Sequence, residues 1–183
     1  IYLKQGNAVR ALPEINVLQG AFHTKKTDKQ LEYRLWETQG LFMCQTGSAD
    51  AGLKLLARAV ERSKNDYSHH SWGNGAYFME AWGAAALAAG KNEIAEEGFL
   101  EALAHDPGSV RAALGLQVLC ERQGRAEEAA RYRELAARCW KKADSNCLEI
   151  ELAAFRGQPS TTAAAFLWRH RPARGRRWWP TTP

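Results

Sequence analysis

The side chains best suited to chemistry in this sequence are a histidine pair and a glutamate pair. His69 and His70 could ligate a metal ion, but no nearby Cys, Asp or Glu supplies a recognised ligand spacing. Glu96 and Glu97 could exchange protons with a substrate. They are adjacent on a predicted helix, however, where neighbouring residues do not face one another. We therefore interpret both pairs as solvent-exposed and expect no metal site.

Other patterns that indicate catalysis are also missing. Gly73-x-Gly75 has neither the lysine nor the preceding strand of a phosphate-binding loop. The four cysteines form no C-x-x-C pair, and we interpret them as reduced, partly buried residues. No Ser/His/Asp arrangement is supported by spacing. We therefore expect a protein that is not an enzyme and uses no cofactor.

The elements that would position a functional side chain are predicted to be helices. Alanine, leucine, glutamate and arginine dominate the sequence, and these are good helix formers. The clearest helix pair spans residues 80–107 and divides at Gly90. Its second half places Ala95, Phe99 and Ala102 on one helix face, at steps of four and three. The pair ends at Pro107, because proline cannot continue a helix.

Landmarks of this pair recur along the chain. Ala95 is the first inward alanine of the second helix, and Ala129 stands at the equivalent position about one repeat length later. Among the glycines that mark the turns, Gly47 and Gly90 are nine residues further apart than Gly90 and Gly124. The extra residues fall between 66 and 75, where we expect a longer loop or an extension of a flanking helix. The turn glycines are Gly47, Gly90 and Gly124.

The pattern of these pairs resembles the tetratricopeptide repeat (TPR). The second helix of residues 80–107 matches the A-x3-F…P half of that repeat, and Gly83 stands at its first-helix glycine. Trp36–Gly40 has the W-x2-x-G spacing of another first helix. The clearest departure is Trp82, which replaces the leucine of the pattern. The resemblance covers roughly residues 1–143.

The resemblance implies an all-α fold, an α-solenoid (superhelix) of antiparallel helix pairs. Pro13 is expected to kink the first long helix or to lie in the first turn of a new one. Asn146 and Glu149 have capping-box spacing, and the helix that they begin is expected to cover the apolar side of the last repeat. We expect a repeat domain over residues 1–156, with a half pair at 1–25, pairs at about 29–66, 76–108 and 109–143, and a terminal helix at 146–156.

The excess positive charge lies at the end of the chain. There are 25 Lys and Arg against 20 Asp and Glu, and five of those arginines lie in residues 157–183, which contain no acid. The remaining 20 basic residues balance the 20 acids, so residues 1–156 are neutral. Arginines beside Trp168, Trp178 and Trp179 could bind phosphates and bases, or an acidic protein or membrane surface. Nucleic-acid or acidic-surface binding by this tail is therefore the alternative function, and a flexible end with no binding role is a third interpretation.

The main functional hypothesis comes from the resemblance. In TPR proteins the first helix of each pair lines a concave groove that binds extended or helical peptides. We therefore expect a non-enzymatic interaction module or scaffold with a protein or peptide partner. Packing between helices is the alternative role for Leu41, Leu87 and Val118. Steps of three, four and three place three rows on the groove side: Arg34, Glu37, Leu41, Cys44 and Gln45, then Tyr77, Glu80, Ala84, Leu87 and Ala88, then Arg111, Leu114, Val118, Glu121 and Arg122.

The residue types in these rows narrow the expected partner. A well-known TPR subgroup holds a partner's C-terminal carboxylates with Lys, Asn and Arg side chains. The corresponding positions here hold Glu37, Tyr77 and Ala81 among others, so that carboxylate clamp is absent. The resemblance then favours a peptide with apolar anchors and flanking charges.

The sequence gives two indications about location. No apolar run approaches the roughly 20 residues of a membrane-spanning helix, so we expect no membrane span and a cytoplasmic protein. The chain begins with Ile1 inside a predicted helix, which indicates a truncated N-terminus and leaves an exported protein open. The oligomeric state and the identity of the partner are left open by the sequence.

Overall fold

The computed structural model describes residues 2–64, 71–143 and 146–157, and every regular element in these ranges is helical. Helices that follow one another in the chain pack against one another. The predicted all-α, solenoid-like arrangement is thereby confirmed. The elements are a 3₁₀ helix (Tyr2–Gln5), α1 (Ala8–Thr24), α2 (Lys29–Gln45), α3 (Ala49–Lys64), α4 (Ser71–Ala88), α5 (Asn92–His105), α6 (Val110–Arg122), α7 (Ala126–Cys139) and α8 (Cys147–Phe155).

One turn geometry recurs at the glycines that separate the helices within a pair. Gly90 has a φ of 71°, a backbone conformation that glycine adopts without steric cost. The amide of Lys91 donates to the Ala86 carbonyl oxygen at 2.9 Å, the closing bond of a Schellman motif. The same five-residue bond closes the turns at Gly6, Gly47 and Gly124, each glycine with a positive φ.

The turns before α2 and before α6, each of which leads from one pair to the next, also share a geometry. In the turn before α6, the side chain of Ser109 accepts a hydrogen bond from the Ala112 amide at 3.1 Å. In the turn before α2, Asp28 accepts from the Leu31 amide at 3.0 Å and caps that helix. Both bonds satisfy an amide that would otherwise lack a partner at the start of a helix.

Small residues let the two helices of a pair approach closely. A side chain at Gly98 of α5 would place its Cβ 2.9 Å from the backbone of Gly83 in α4. Phe99 lies beside this contact and is fully buried, together with Phe78 and Met79. Burial of each of these large side chains contributes about 1.5–3 kcal/mol to the stability of the folded state. The predicted inward residues of α5, Ala95 and Ala102, have no exposed surface.

The structure selects between alternatives at two helices and corrects the expectation at a third. The first long helix, α1, runs through Pro13 from a start at Ala8, so Pro13 lies beyond the first turn. The longer interval between turn glycines contains an extension of α4, which begins at Ser71. Asn146 makes no side-chain capping bond to α8, and the predicted capping box is therefore wrong.

Two features singled out in the sequence lie outside the described residues: the histidine pair at 69–70 and the basic tail from residue 158 onward. Among the helices that are described, none combines the length and the apolar character needed to cross a membrane. All four cysteines lie in the described ranges and are free thiols, of which Cys120 is buried and Cys139 exposed.

Candidate functional site

The helices form two layers, and one layer carries a cavity. The first helices of the pairs, α2, α4 and α6, contact one another in order, while α3 and α5 pack behind them. We call the exposed side of α2, α4 and α6 the first-helix face. A cavity of about 570 Å³ opens on this face, between α2, α4 and the edge of α8. This cavity is called the groove below.

Most of the predicted site residues meet in the groove. Ten of the fifteen line it, and they come from α2, α4 and α6. Steps of three and four placed the residues of each row on one side of their helix, and the three rows meet because α2, α4 and α6 lie side by side. The ten are Glu37, Leu41, Cys44, Gln45, Tyr77, Glu80, Ala84, Leu87, Ala88 and Arg111.

The other five predicted residues lie outside the groove lining. Glu121 pairs with Arg156 at 2.7 Å. Arg34 places its guanidinium over the ring of Tyr77, with Cζ 4.3 Å from the ring centroid. Leu114 and Val118 are each only 2 % exposed and belong to the hydrophobic core. Arg122 donates to the Leu87 carbonyl oxygen at 3.1 Å. Of the three residues with an alternative packing role, Val118 and Leu87 therefore pack in the core, and Leu87 borders the groove at only 1 % exposure. Leu41 is half-buried and lines the groove.

Two elements contribute lining residues that the sequence interpretation missed. The 3₁₀ helix supplies Leu3, whose carbonyl oxygen accepts a hydrogen bond from the Gln45 side chain. Helix α8 supplies Glu151, Ala154 and Phe155, because it packs against α6 and α4. In the sequence, the apolar face of α8 indicated that this helix has a buried side. It did not indicate which helices α8 packs against.

Charged groups at one end of the groove form a connected network. Arg111 lies between two carboxylates, with Nε 3.4 Å from Glu80 and Nη1 paired with Glu151. Glu80 also accepts a hydrogen bond from the Ser109 hydroxyl at 2.6 Å. Among the lining residues there are three glutamates and one arginine. The groove therefore carries more negative than positive charge.

An aromatic residue sits between these charges and the rest of the groove. Burial and the neighbouring Glu37 carboxylate raise the pKa of the Tyr77 phenol, so the phenol is neutral at physiological pH. Glu37 is 2 % exposed and pairs with Arg34 at 3.2 Å. Tyr77 thus brings apolar ring surface to the groove lining, while its hydroxyl is hydrogen-bonded to Glu37.

The floor of the groove is apolar and made of small side chains. It consists mainly of alanines from α4, including Ala81, Ala84 and Ala88, with Leu41 and Leu87 beside them. Short side chains on a helix leave space that a larger apolar side chain of a ligand can fill. The groove therefore combines an apolar floor with an acidic end, an arrangement suited to binding. The thiol of Cys44 also lines it, and burial raises the pKa of that thiol.

Within the described ranges, no cluster of three or more His, Cys, Asp or Glu side chains has an arrangement that could hold a metal ion. No protein-family model matches the chain, and no curated protein matches it.

Proposed function

We propose that this chain is a non-enzymatic protein-interaction module, built from TPR-like helix pairs, whose groove binds a segment of a partner protein. The observation that carries the proposal is the groove itself: about 570 Å³ of space on the first-helix face, with an alanine floor and an acidic end. The two recurring turn geometries support the repeat interpretation, because the same bond closes the turns at Gly6, Gly47, Gly90 and Gly124, and the turns before α2 and α6 share a capping bond.

The groove lining favours a particular partner chemistry. An apolar side chain of the partner would fill the space above Ala84 and Ala88 and lose its contact with water, which stabilises binding. A lysine or arginine next to that side chain would be attracted by the acidic end, because the groove lining carries three glutamates and one arginine. The proposed ligand is therefore a peptide segment with an apolar anchor flanked by a cation.

Tyr77 is the residue whose removal tests this function most simply. Peptides are selected from a random displayed library on the full chain, and the affinity of a selected peptide is then measured by fluorescence anisotropy. Truncation of a central aromatic residue in an interface can cost 2 kcal/mol or more. We expect Tyr77→Ala to weaken binding at least about tenfold.

Tyr132→Ala is the matched control. Tyr132 is also partly buried and packed against the core, but it lies on α7 and does not line the groove. The proposal predicts that Tyr132→Ala leaves the affinity for the selected peptide within about twofold, a difference within ±0.5 kcal/mol. Equal losses of affinity in the two variants would contradict a binding role for the groove.

A further inference from the structure

Helix α8 occupies part of the first-helix face in the manner of a bound ligand. Its apolar side chains Leu148, Leu152 and Phe155 pack against a core cluster that contains Leu114 of α6. The Phe155 ring also meets Phe99, with ring centroids 5.7 Å apart in an edge-to-face arrangement. We call the surface of α6 and α4 beneath α8 the α8 site.

Polar contacts fix the position of α8 on this surface. Glu151 of α8 pairs with Arg111 of α6, and the Arg111 guanidinium carbon lies 5.4 Å from the centroid of the Phe155 ring. At the other end of α8, Arg156 donates to both carboxylate oxygens of Glu121, at 2.7 and 3.0 Å. The α8 site therefore recognises an acid and an aromatic residue through one arginine.

The docking residues of α8 have a spacing known from helix recognition. Leu148, Glu151, Leu152 and Phe155 stand at relative positions 0, 3, 4 and 7. Amphipathic helices that bind in the groove of another protein present their anchors at these positions. Here the ligand helix belongs to the same chain as its site.

Several features indicate that α8 leaves its place more readily than the longer helices of the chain. It has nine residues, and none of them is fully buried. Isolated helices of this length are marginal in water, so the helical form depends on the contacts with the α8 site. The cap position at Asn146 provides no side-chain hydrogen bond. Elements with few buried contacts open most easily in native proteins.

We propose that the α8 site is a second docking surface, that α8 is its intramolecular occupant, and that a partner helix with the same apolar-x2-acid-apolar-x2-aromatic pattern takes its place. This inference goes beyond the proposed function, because it concerns the α6 surface beneath α8 and does not require a ligand in the groove. Displacement of α8 also removes Glu151, Ala154 and Phe155 from the groove wall, so the two surfaces are coupled.

The experiment uses the α8 sequence itself as the probe. A fluorescein-labelled peptide of residues 146–157, with Cys147→Ser, is titrated with the full chain and with a full-chain variant carrying Leu152→Ala and Phe155→Ala. The tethered α8 competes at a high effective concentration in the parent chain, and the variant weakens this competitor without changing the α8 site. We expect the peptide to bind the variant at least about tenfold more tightly than the parent.

Charge reversal identifies the site of peptide binding. Arg111→Glu, added to the variant, is expected to abolish binding, and a peptide with Glu151→Arg is expected to restore it. Arg125→Glu is the matched control, since Arg125 has the same 29 % side-chain exposure as Arg111 and also joins two helices, through Glu96. It lies between α5 and α7 and is expected to leave peptide binding unchanged.

A second full-chain variant keeps the test decisive if the double substitution prevents folding. Glu151→Arg places two cations together and releases α8 while its apolar side chains stay intact. The proposal is overturned if folded variants, verified by circular dichroism, bind the peptide no more tightly than the parent chain. It is equally overturned if Arg111→Glu and Arg125→Glu affect peptide binding alike.

Discussion

At the scale of single residues, Phe99 connects the hydrophobic core to the first-helix face. It belongs to α5, in the second layer, and is fully buried. Its ring passes beside Gly83 of α4 and Gly115 of α6, where any Cβ would overlap it, and meets Phe155 of α8. The position of α8 therefore depends on the close packing of α4, α5 and α6.

Substitution of one buried glycine tests this close packing. Gly98→Ala would bring a Cβ to within 2.9 Å of the Gly83 backbone, and backbone atoms cannot move aside as a flexible side chain can. We expect the free energy of unfolding to fall by about 1–3 kcal/mol, measured by urea denaturation. Gly20→Ala, on the exposed side of α1 with open space around it, is the control and is expected to increase stability by about 0.5–1 kcal/mol. Equal effects of both substitutions would contradict the packing argument.

A carboxyl group at the junction of α6 and α8 predicts a pH dependence. Burial alone would raise the pKa of Glu121, but hydrogen bonds from Gln117 and Arg156 outweigh it and hold the pKa below its ordinary value of 4.5. A lowered folded-state pKa means that the stabilisation is complete above the ordinary pKa and is lost as the pH falls through the folded-state value.

Glu121→Gln is therefore expected to destabilise the protein at pH 7 and to have no effect in strong acid. The expected loss at pH 7 is about 0.2–1 kcal/mol, since the ion pair with Arg156 is partly exposed. Urea denaturation of both proteins at pH 7 and near pH 2 measures the difference. A stability gap of the same size at both pH values would show that the charge of Glu121 is not its source.

At the scale of elements, the ends of the array differ from its middle. Helix α5 packs against both α4 and α6, whereas α1 packs mainly against α2. Val9 and Val17 of α1 are 85 % and 69 % exposed, so this helix buries only one narrow side. In repeat proteins, an element with one neighbour opens more readily than an element with two.

Hydrogen exchange followed by mass spectrometry checks this difference between elements. We expect amides of α1 and α8 to exchange at least about tenfold faster than amides of α5, because both depend on fewer buried contacts. Exchange in α1 that is as slow as in α5 would show that contacts with α2 alone hold the first helix as firmly as the core holds α5.

The sequence predicted the helices well and the placement of the last one poorly. Glycine and proline act on the adjacent backbone, so Gly90 and Pro107 marked element ends that the structure shares. The periodic rows of α2 and α4 likewise predicted most of the groove. The return of α8 onto α6 depends on contacts such as Arg111 with Glu151, which lie forty positions apart, and helical periodicity carries no information on such pairs. Leu114 packs in a cluster with side chains of α8, so the sequence rows could not predict its burial either.

At the scale of the whole molecule, the groove and the α8 site lie on the same face and share a wall. Arg111 belongs to both, and Glu151 and Phe155 of the docked α8 also line the groove. A ligand that changes the position of α8 therefore changes the groove, and by thermodynamic reciprocity a ligand in the groove changes the affinity of α8 for its site. We propose that this shared wall makes the first-helix face a single binding surface with two connected parts.

The measurement that tests the central claim most directly is the affinity of a library-selected peptide for the full chain after the groove is filled. Ala88 is an exposed alanine of α4 that lines the groove, so Ala88→Trp occupies the space without disturbing the core. Ala104→Trp makes the same change at an exposed position of α5 outside the groove. We predict that Ala88→Trp weakens peptide binding at least about tenfold and that Ala104→Trp leaves it within about twofold. Unchanged affinity in a folded Ala88→Trp variant would contradict the claim that the groove binds the partner.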